Sequence, residues 1–391
     1  MERLSAADPS YHQRRQTLEA QVSGFRLPVE PESVTVPVLF HILCRDGQPS
    51  VGEAQVLSQL AALARDFGPP VFEARHPADT LEGFLDRAAD PHIRFCPLSG
   101  GPASPAGIHF VTTGREEWGT DDAVKFDHLG GADAFLPGFV LNIWVADLAD
   151  GISGYAQLPG GPVATDGIVI DHRFFGTTGT AVPPYDVGKT LTHLIGNYLG
   201  LQELWGQGAC TDDGVADTPV ANAPNFGCPV YRHLSTCEGH PVEMTMNFMD
   251  NTEDACMYLF TRDQVRRMQA VLSEGGTRAG LRQGADFVCT GNSGVGAADP
   301  APDLTDLPSL SVFPNPTDGL LRYKVRTRLP ARGELQVSQA NGSVCFRQAV
   351  DWQAGENQGS IDCTGWTGGT YFLHARIDGR TLTQPILVRQ P

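Results

Sequence analysis

One stretch places side chains at a spacing that could do chemistry: HLIGNYLGLQE, residues 193–203. A water-activating zinc site on a helix needs two imidazoles four residues apart, a glycine that stops the helix, and a third imidazole brought back by the turn. A glutamate beside the first histidine then serves as the general base. Here His193 and Gly200 fit that spacing, whereas Leu194 stands at the base position, Asn197 at the second ligand and Glu203 at the third. Losing a general base costs about 10²–10⁴ in rate. The asparagine amide oxygen is a neutral donor better suited to hard cations than to zinc. The expectation is a centre that binds zinc weakly or not at all.

The elements that must position these residues are legible in the hydrophobic pattern. VTVPVLFHIL (34–43) is a β-branched apolar run and reads as a buried strand, and VGEAQVLSQLAALARDFG (51–68) has helical spacing. Further strands are expected at 92–98, 107–113, 139–148 and 166–175, and helices at 187–201 and 260–273. Residues 11–24 read as a short surface helix or the remnant of a pro-segment. Residues 206–256 are rich in Cys, Asp, Gly and Pro with little periodicity, a segment that needs cross-links or metal to stay ordered.

The flanks of the 193–203 stretch carry more information than the stretch itself. LNIWVADLADGISGYAQLPG (141–160), VKFDHLGGADAF (124–135), CTDDGVADTP (210–219), NFGCP (225–229) and MNFMDNTEDACMYLFTRDQVRRM (246–268) resemble, in order, the pappalysin-type metzincin metallopeptidases. The resemblance covers residues 34–285 and implies an α+β metzincin-like domain, a twisted mixed sheet with a long active-site helix and a methionine turn beneath the metal. Carried over by position, it makes His193, Asn197 and Glu203 degenerate zinc positions, Leu194 the lost base and Met249 the Met-turn residue. Asn251 stands where a tyrosine would stabilise the oxyanion. The same resemblance pairs Cys210 with Cys237 and Cys228 with Cys256, where four cysteines alone allow three connectivities. It also makes the loop of Asp212, Asp213, Asp217 and Thr218, all hard oxygen donors, a calcium site.

Nine cysteines point to an oxidising compartment. Cys345 and Cys363, on neighbouring strand candidates, are expected to form a further bridge; Cys44 is set against Cys96 with no motif behind the pairing, and Cys289 is left odd. Residues 291–308 are small, polar and Pro-rich, which is linker chemistry. Beyond them, five strand candidates (320–327, 333–340, 343–350, 369–376 and 383–388) alternate with turns at 340–342 and 378–379. That pattern predicts a small all-β immunoglobulin-like sandwich. SVFPNPTDGLLRYKV (311–325) and IDCTGWTGGTYFLHARIDG (361–379) resemble the C-terminal sorting domain of the type IX secretion system. The expected organisation is an N-terminal extension or pro-segment remnant (1–33), a pappalysin-like domain (34–290), a linker (291–308) and the sorting domain (309–391).

A net charge of −17 argues against nucleic acid as a partner. The charge is uneven: residues 301–391 hold nine basic and eight acidic side chains, so the acidity belongs to the first 300 residues. No apolar run is long enough to span a membrane, and the first residues lack the apolar core of a signal peptide, so a leader is expected to be missing from this chain. Three functions follow. The first is a secreted or surface-held pseudopeptidase that binds an extracellular protein or peptide ligand and is exported by the type IX machinery. The second is an active zinc metalloendopeptidase with an atypical site, its base drawn from Glu238 or Glu243. The third is a structural surface component.

Overall fold

The computed structural model describes residues 11–28, 32–45, 47–70, 83–98, 102–103, 106–230, 232–289, 309–327, 330–339, 343–377 and 380–389. The expected linker at 291–308 and the turns at 340–342 and 378–379 lie outside these residues. The chain divides into two units, Met1–Pro97 with Ile108–Gly284, and Leu98–Gly107 with Ala285–Pro391.

Along the chain run α1 (Tyr11–Gly24), β1 (Val34–Arg45), β2 (Gln48–Pro49), α2 (Glu53–Asp66), β3 (Ile93–Pro97), β4 (Ile108–Thr113), β5 (Leu141–Ala146), β6 (Gly154–Ala156), β7 (Ile168–Asp171), α3 (Lys189–Tyr198), α4 (Arg262–Leu272) and α5 (Ala279–Val288). The seven strands form one mixed sheet. β1 pairs in parallel with β3, β4 and β5, and β5 with β7. Two antiparallel strands complete it, β2 on β1 and β6 on β7. β5 and β7 are buried at every position, which is why, Asn142 and Asp171 apart, their sequences are apolar.

At the centre of the sheet, the asparagine and tryptophan of LNIWV have structural work. His41 of β1 stacks on Trp144 of β5, with ring centroids 5.1 Å apart. Asn142 Oδ1 already accepts the Phe135 amide, and its Nδ2 donates to the carbonyls of Phe135 and Val140. The 2.9 Å contact from His41 Nε2 to Asn142 Oδ1 is therefore an N–H donated by the ring. His41 Nδ1 is left as an acceptor for His109 Nδ1–H on β4, 3.1 Å away.

Two expected elements are shorter than the pattern suggested. The strand at 166–175 ends at Asp171, whose carboxylate accepts the Arg173 amide and starts a single 3₁₀ turn. The helix at 187–201 shrinks to α3, because Gly188 (φ 80°) and Gly200 (φ 92°) both adopt the left-handed region.

In the second unit β8 (Ser309–Phe313), β9 (Leu320–Thr327), β10 (Ala331–Gln339), β11 (Val344–Trp352), β12 (Gly355–Asp362), β13 (Gly369–Ile377) and β14 (Arg380–Val388) make two antiparallel sheets. Their orders are β11-β10-β13-β14 and β12-β9-β8. One apolar cluster draws on both, with Leu321 and Val325 from one sheet and Leu335, Val337, Leu373 and Ile386 from the other.

The cysteine expectations are corrected in part. Cys210–Cys237 and Cys228–Cys256 are bonded, with Cα–Cα separations of 5.5 and 5.6 Å. Cys345 and Cys363 are free thiols. Cys345 lies on β11 and Cys363 just past the end of β12, and each donates to a carbonyl instead, Cys345 to Val337 and Cys363 to Ile361. Burial pushes the Cys363 thiol up to about 11, which withholds the thiolate that exchange requires. Cys44 is also free, so it does not join Cys96, and Cys289 is not odd: Cys96 and Cys289 are both disulfide-bonded.

Candidate active site on helix α3

Both ends of α3 are fixed from outside the helix. At the start, Asp254 accepts the amides of Val187 and Lys189 at 2.8 and 3.2 Å. At the end, Leu201 N–H donates to Gly196 O and Gly200 N–H to Asn197 O, both 2.9 Å, the two bonds of a Schellman stop. This reversal carries residue 203 back toward residue 193.

Beneath the helix lies the methionine turn. Met249 is fully buried, and a side chain on Gly196 would place its Cβ 2.5 Å from Met249 Sδ, so glycine is what lets the two approach. Asn247 Oδ1 accepts the Met249 amide, and Asn247 and Gln264 exchange side-chain hydrogen bonds at 2.9 and 3.0 Å. Gln264 also closes a capping box with Thr261 at the head of α4. The Thr and Gln of the FTRDQVRRM run therefore hold the turn in place, a role that no spacing rule assigned.

His193 Nδ1 donates to Phe248 O at 2.8 Å, the bond that in a metal site would orient the ring and leave Nε2 toward the ion. Here Nε2 lies 3.0 Å from Glu203 Oε2, with both side chains 12% exposed. Oε2 accepts no well-aligned hydrogen bond, so the contact is a charge pair. Burial alone would lower the His193 pKa; the Glu203 carboxylate, with Phe248 O and Asp250, outweighs it and raises the value. Asn197 is buried and its Nδ2 faces Leu201 O at 3.4 Å. Leu194 leans on the edge strand: a Cβ on Gly154 would stand 2.7 Å from Leu194 Cδ1. Asn251, at the tyrosine position, is half-buried beside Asp250, whose carboxylate accepts the Asn251 amide.

This donor set does not fit the family's zinc. His193 and Glu203 face each other, Asn197 turns an amide N–H toward a carbonyl, and residue 194 is a hydrocarbon. Glu243 is buried and accepts from Asn222 N and Asn225 Nδ2, and Glu238 is exposed in its loop. Among the described residues, no three His, Cys, Asp or Glu side chains are grouped to hold a metal ion.

The calcium-candidate loop uses its oxygens internally. Asp213 is buried, accepts from Val215 N and Thr218 Oγ1, and is pushed up to about 7 by that burial. Asp212 accepts from Gly214 N. Asp217 turns away to α4, taking Thr261 Oγ1 at 2.6 Å and Asp263 N at 3.0 Å.

A mixed sheet with an antiparallel edge strand, a helix stopped at glycine and a buried methionine turn define a metzincin-like body. The family model described as Pregnancy-associated plasma protein-A matches residues 123–273, and one described as Secretion system C-terminal sorting domain matches residues 311–389. Mature mirolysin of Tannerella forsythia, solved in complex with a cleaved peptide, is 36% identical with a TM-score of 0.59, over 65% of this chain and 97% of that one. A promirolysin mutant from the same organism is 34% identical with a TM-score of 0.64, over 73% of this chain and 95% of that one. Extracellular metalloprotease 1 of Coccidioides posadasii is 35% identical over 185 residues, 43% of this chain and 63% of its own length. This chain belongs to the pappalysin family of metallopeptidases and carries a secretion-system sorting domain. It is a secreted or cell-surface protein, and no described helix is long and apolar enough to cross a membrane.

Proposed function

We propose that this chain is an extracellular pseudopeptidase, which holds an extended peptide or protein segment in its cleft without hydrolysing it. The observation that carries this reading is the His193–Glu203 charge pair standing beside Leu194, where ligands and base would be. Binding without chemistry would use β6, the strand that ends the sheet path, through β-augmentation. The sorting domain, read as an immunoglobulin-like sandwich at 309–391 behind a linker at 291–308, would be the handle for the type IX machinery. Residues 1–33 read as a pro-segment remnant or an N-terminal extension, and the larger share of this chain matched by the pro-form of mirolysin supports the first.

The test is metal analysis of the purified protein together with a casein cleavage assay. Substoichiometric zinc and no EDTA-sensitive cleavage are expected. Stoichiometric zinc with EDTA-sensitive cleavage would establish the second reading, an active metalloendopeptidase, which the names of the relatives favour. Replacing Leu194→Glu, Asn197→His, Glu203→His and Asn251→Tyr together should restore zinc uptake. A folded quadruple variant that takes up none would refute the assignment of these positions.

Calcium in the 210–218 loop is proposed on its oxygen donors and the resemblance, with Asp217 released from Thr261 and Asp263 on binding. A melting temperature that rises when calcium is returned to EDTA-treated protein supports it; an unchanged one removes calcium from the reading.

A further inference from the structure

The helix α1 lies far from residue 193 in sequence, yet a chain of polar contacts joins the two. Glu19 meets the Arg267 guanidinium with both oxygens, Oε2 standing 2.9 Å from Nη1. Arg267 is 1% exposed, and its Nε donates to Gly200 O at 2.6 Å. Gly200 is the left-handed stop of α3, three residues before Glu203. The carbonyl held by Arg267 therefore belongs to the turn that sets Glu203 against His193. Independent contacts seat α1: Leu18 and Val22 are buried, Gln21 Nε2 donates to Ala270 O at 2.6 Å, and Leu18 packs over Gly200. Although burial alone would raise the Glu19 pKa, Arg267 holds it below the usual carboxylate range.

We infer that Glu19 is a positioning residue of the site, which acts through Arg267 and the Gly200 carbonyl to fix the turn presenting Glu203 to His193. Arg267 is too buried to go unpaired without cost, and its remaining N–H groups reach Glu19 only while α1 is seated. The N-terminal helix is thus built into the site. This inference rests on the contacts alone and holds whether or not the chain hydrolyses peptides.

The test compares full-length wild type, Glu19→Asp and Glu19→Gln by melting temperature and by the imidazole NMR signals of His193 at neutral pH. Melting temperature should fall, and the His193 signals should move, in the order Asp then Gln, because the charge on Arg267 is progressively abandoned. Gln21→Ala, which removes the bond to Ala270 O while α1 stays seated by Leu18, Val22 and the Glu19–Arg267 pair, should lower the melting temperature and leave the His193 signals in place. Unmoved His193 signals in Glu19→Gln overturn the inference, as does an equal movement in Gln21→Ala. If Glu19→Gln does not fold, unmoved signals in Glu19→Asp are the overturning result.

Discussion

Glycine 196 sits inside a helix, where alanine is better by about 1 kcal/mol on propensity alone. Packing reverses that sign here, since the added methyl would run into Met249 Sδ in a fully buried setting. Gly196→Ala should therefore destabilise by about 1–2 kcal/mol in chemical denaturation; a more stable variant would mean that Met249 can move aside. His41 offers a second test, of pH. Burial holds its pKa down to about 3, and the half-buried His109 beside it adds to the resistance against charging. The unfolded chain binds this proton near pH 6.5 and the folded one only near 3. His41 thus contributes stability above pH 6.5, on the order of 5 kcal/mol, that is lost as the pH falls toward 3. Melting temperature should decline across that window, and a His41→Gln variant, with nothing to titrate there, should show a shallower acid limb.

Helix α4 organises the site from behind, and its head is the sensitive point. Thr261 accepts the Gln264 amide and donates to Asp217, so Thr261→Ala loses a cap and leaves a carboxylate oxygen without its donor. A loss of about 1–2 kcal/mol is expected in denaturant unfolding; a neutral result would mean that the capping box does not hold the methionine turn. The helices with an apolar stripe were visible in the sequence: Val56 and Leu63 mark α2, and Val265, Met268 and Leu272 mark α4. α5 was not, because Gly280 and Gly284 read as breakers. Folded, those glycines let the helix touch the backbone of Gly138 and Phe139, where a Cβ would come within 2.4 and 1.9 Å. β12 was also hidden, since GENQGSID buries only Ile361 well and shows almost no apolar alternation. At the site, the helix spacing marks Leu194, Asn197 and Glu203 as departures from a zinc-binding pattern, and Asn251 comes from the family resemblance rather than from spacing. The Glu19–Arg267–Gly200 relay left no trace, because nothing local links residue 19 to residue 267.

For the molecule as a whole, cysteine chemistry gives a direct count. Alkylation of the denatured, unreduced protein should label Cys44, Cys345 and Cys363 alone, leaving six cysteines protected; peptide mapping that finds Cys345 joined to Cys363 would contradict the separation of the two sheets. The Glu19–Arg267 contact has a consequence in time as well as in space. It joins positions 248 residues apart, so forming it closes nearly the whole first unit into one loop. Contacts of such long range are late to form, and a substitution that weakens one shows in the rate of unfolding more than of folding. Stopped-flow measurements on Glu19→Gln should find refolding close to that of wild type and unfolding several-fold faster. Helix α1 would then be the last element to be fastened, and the first to let go.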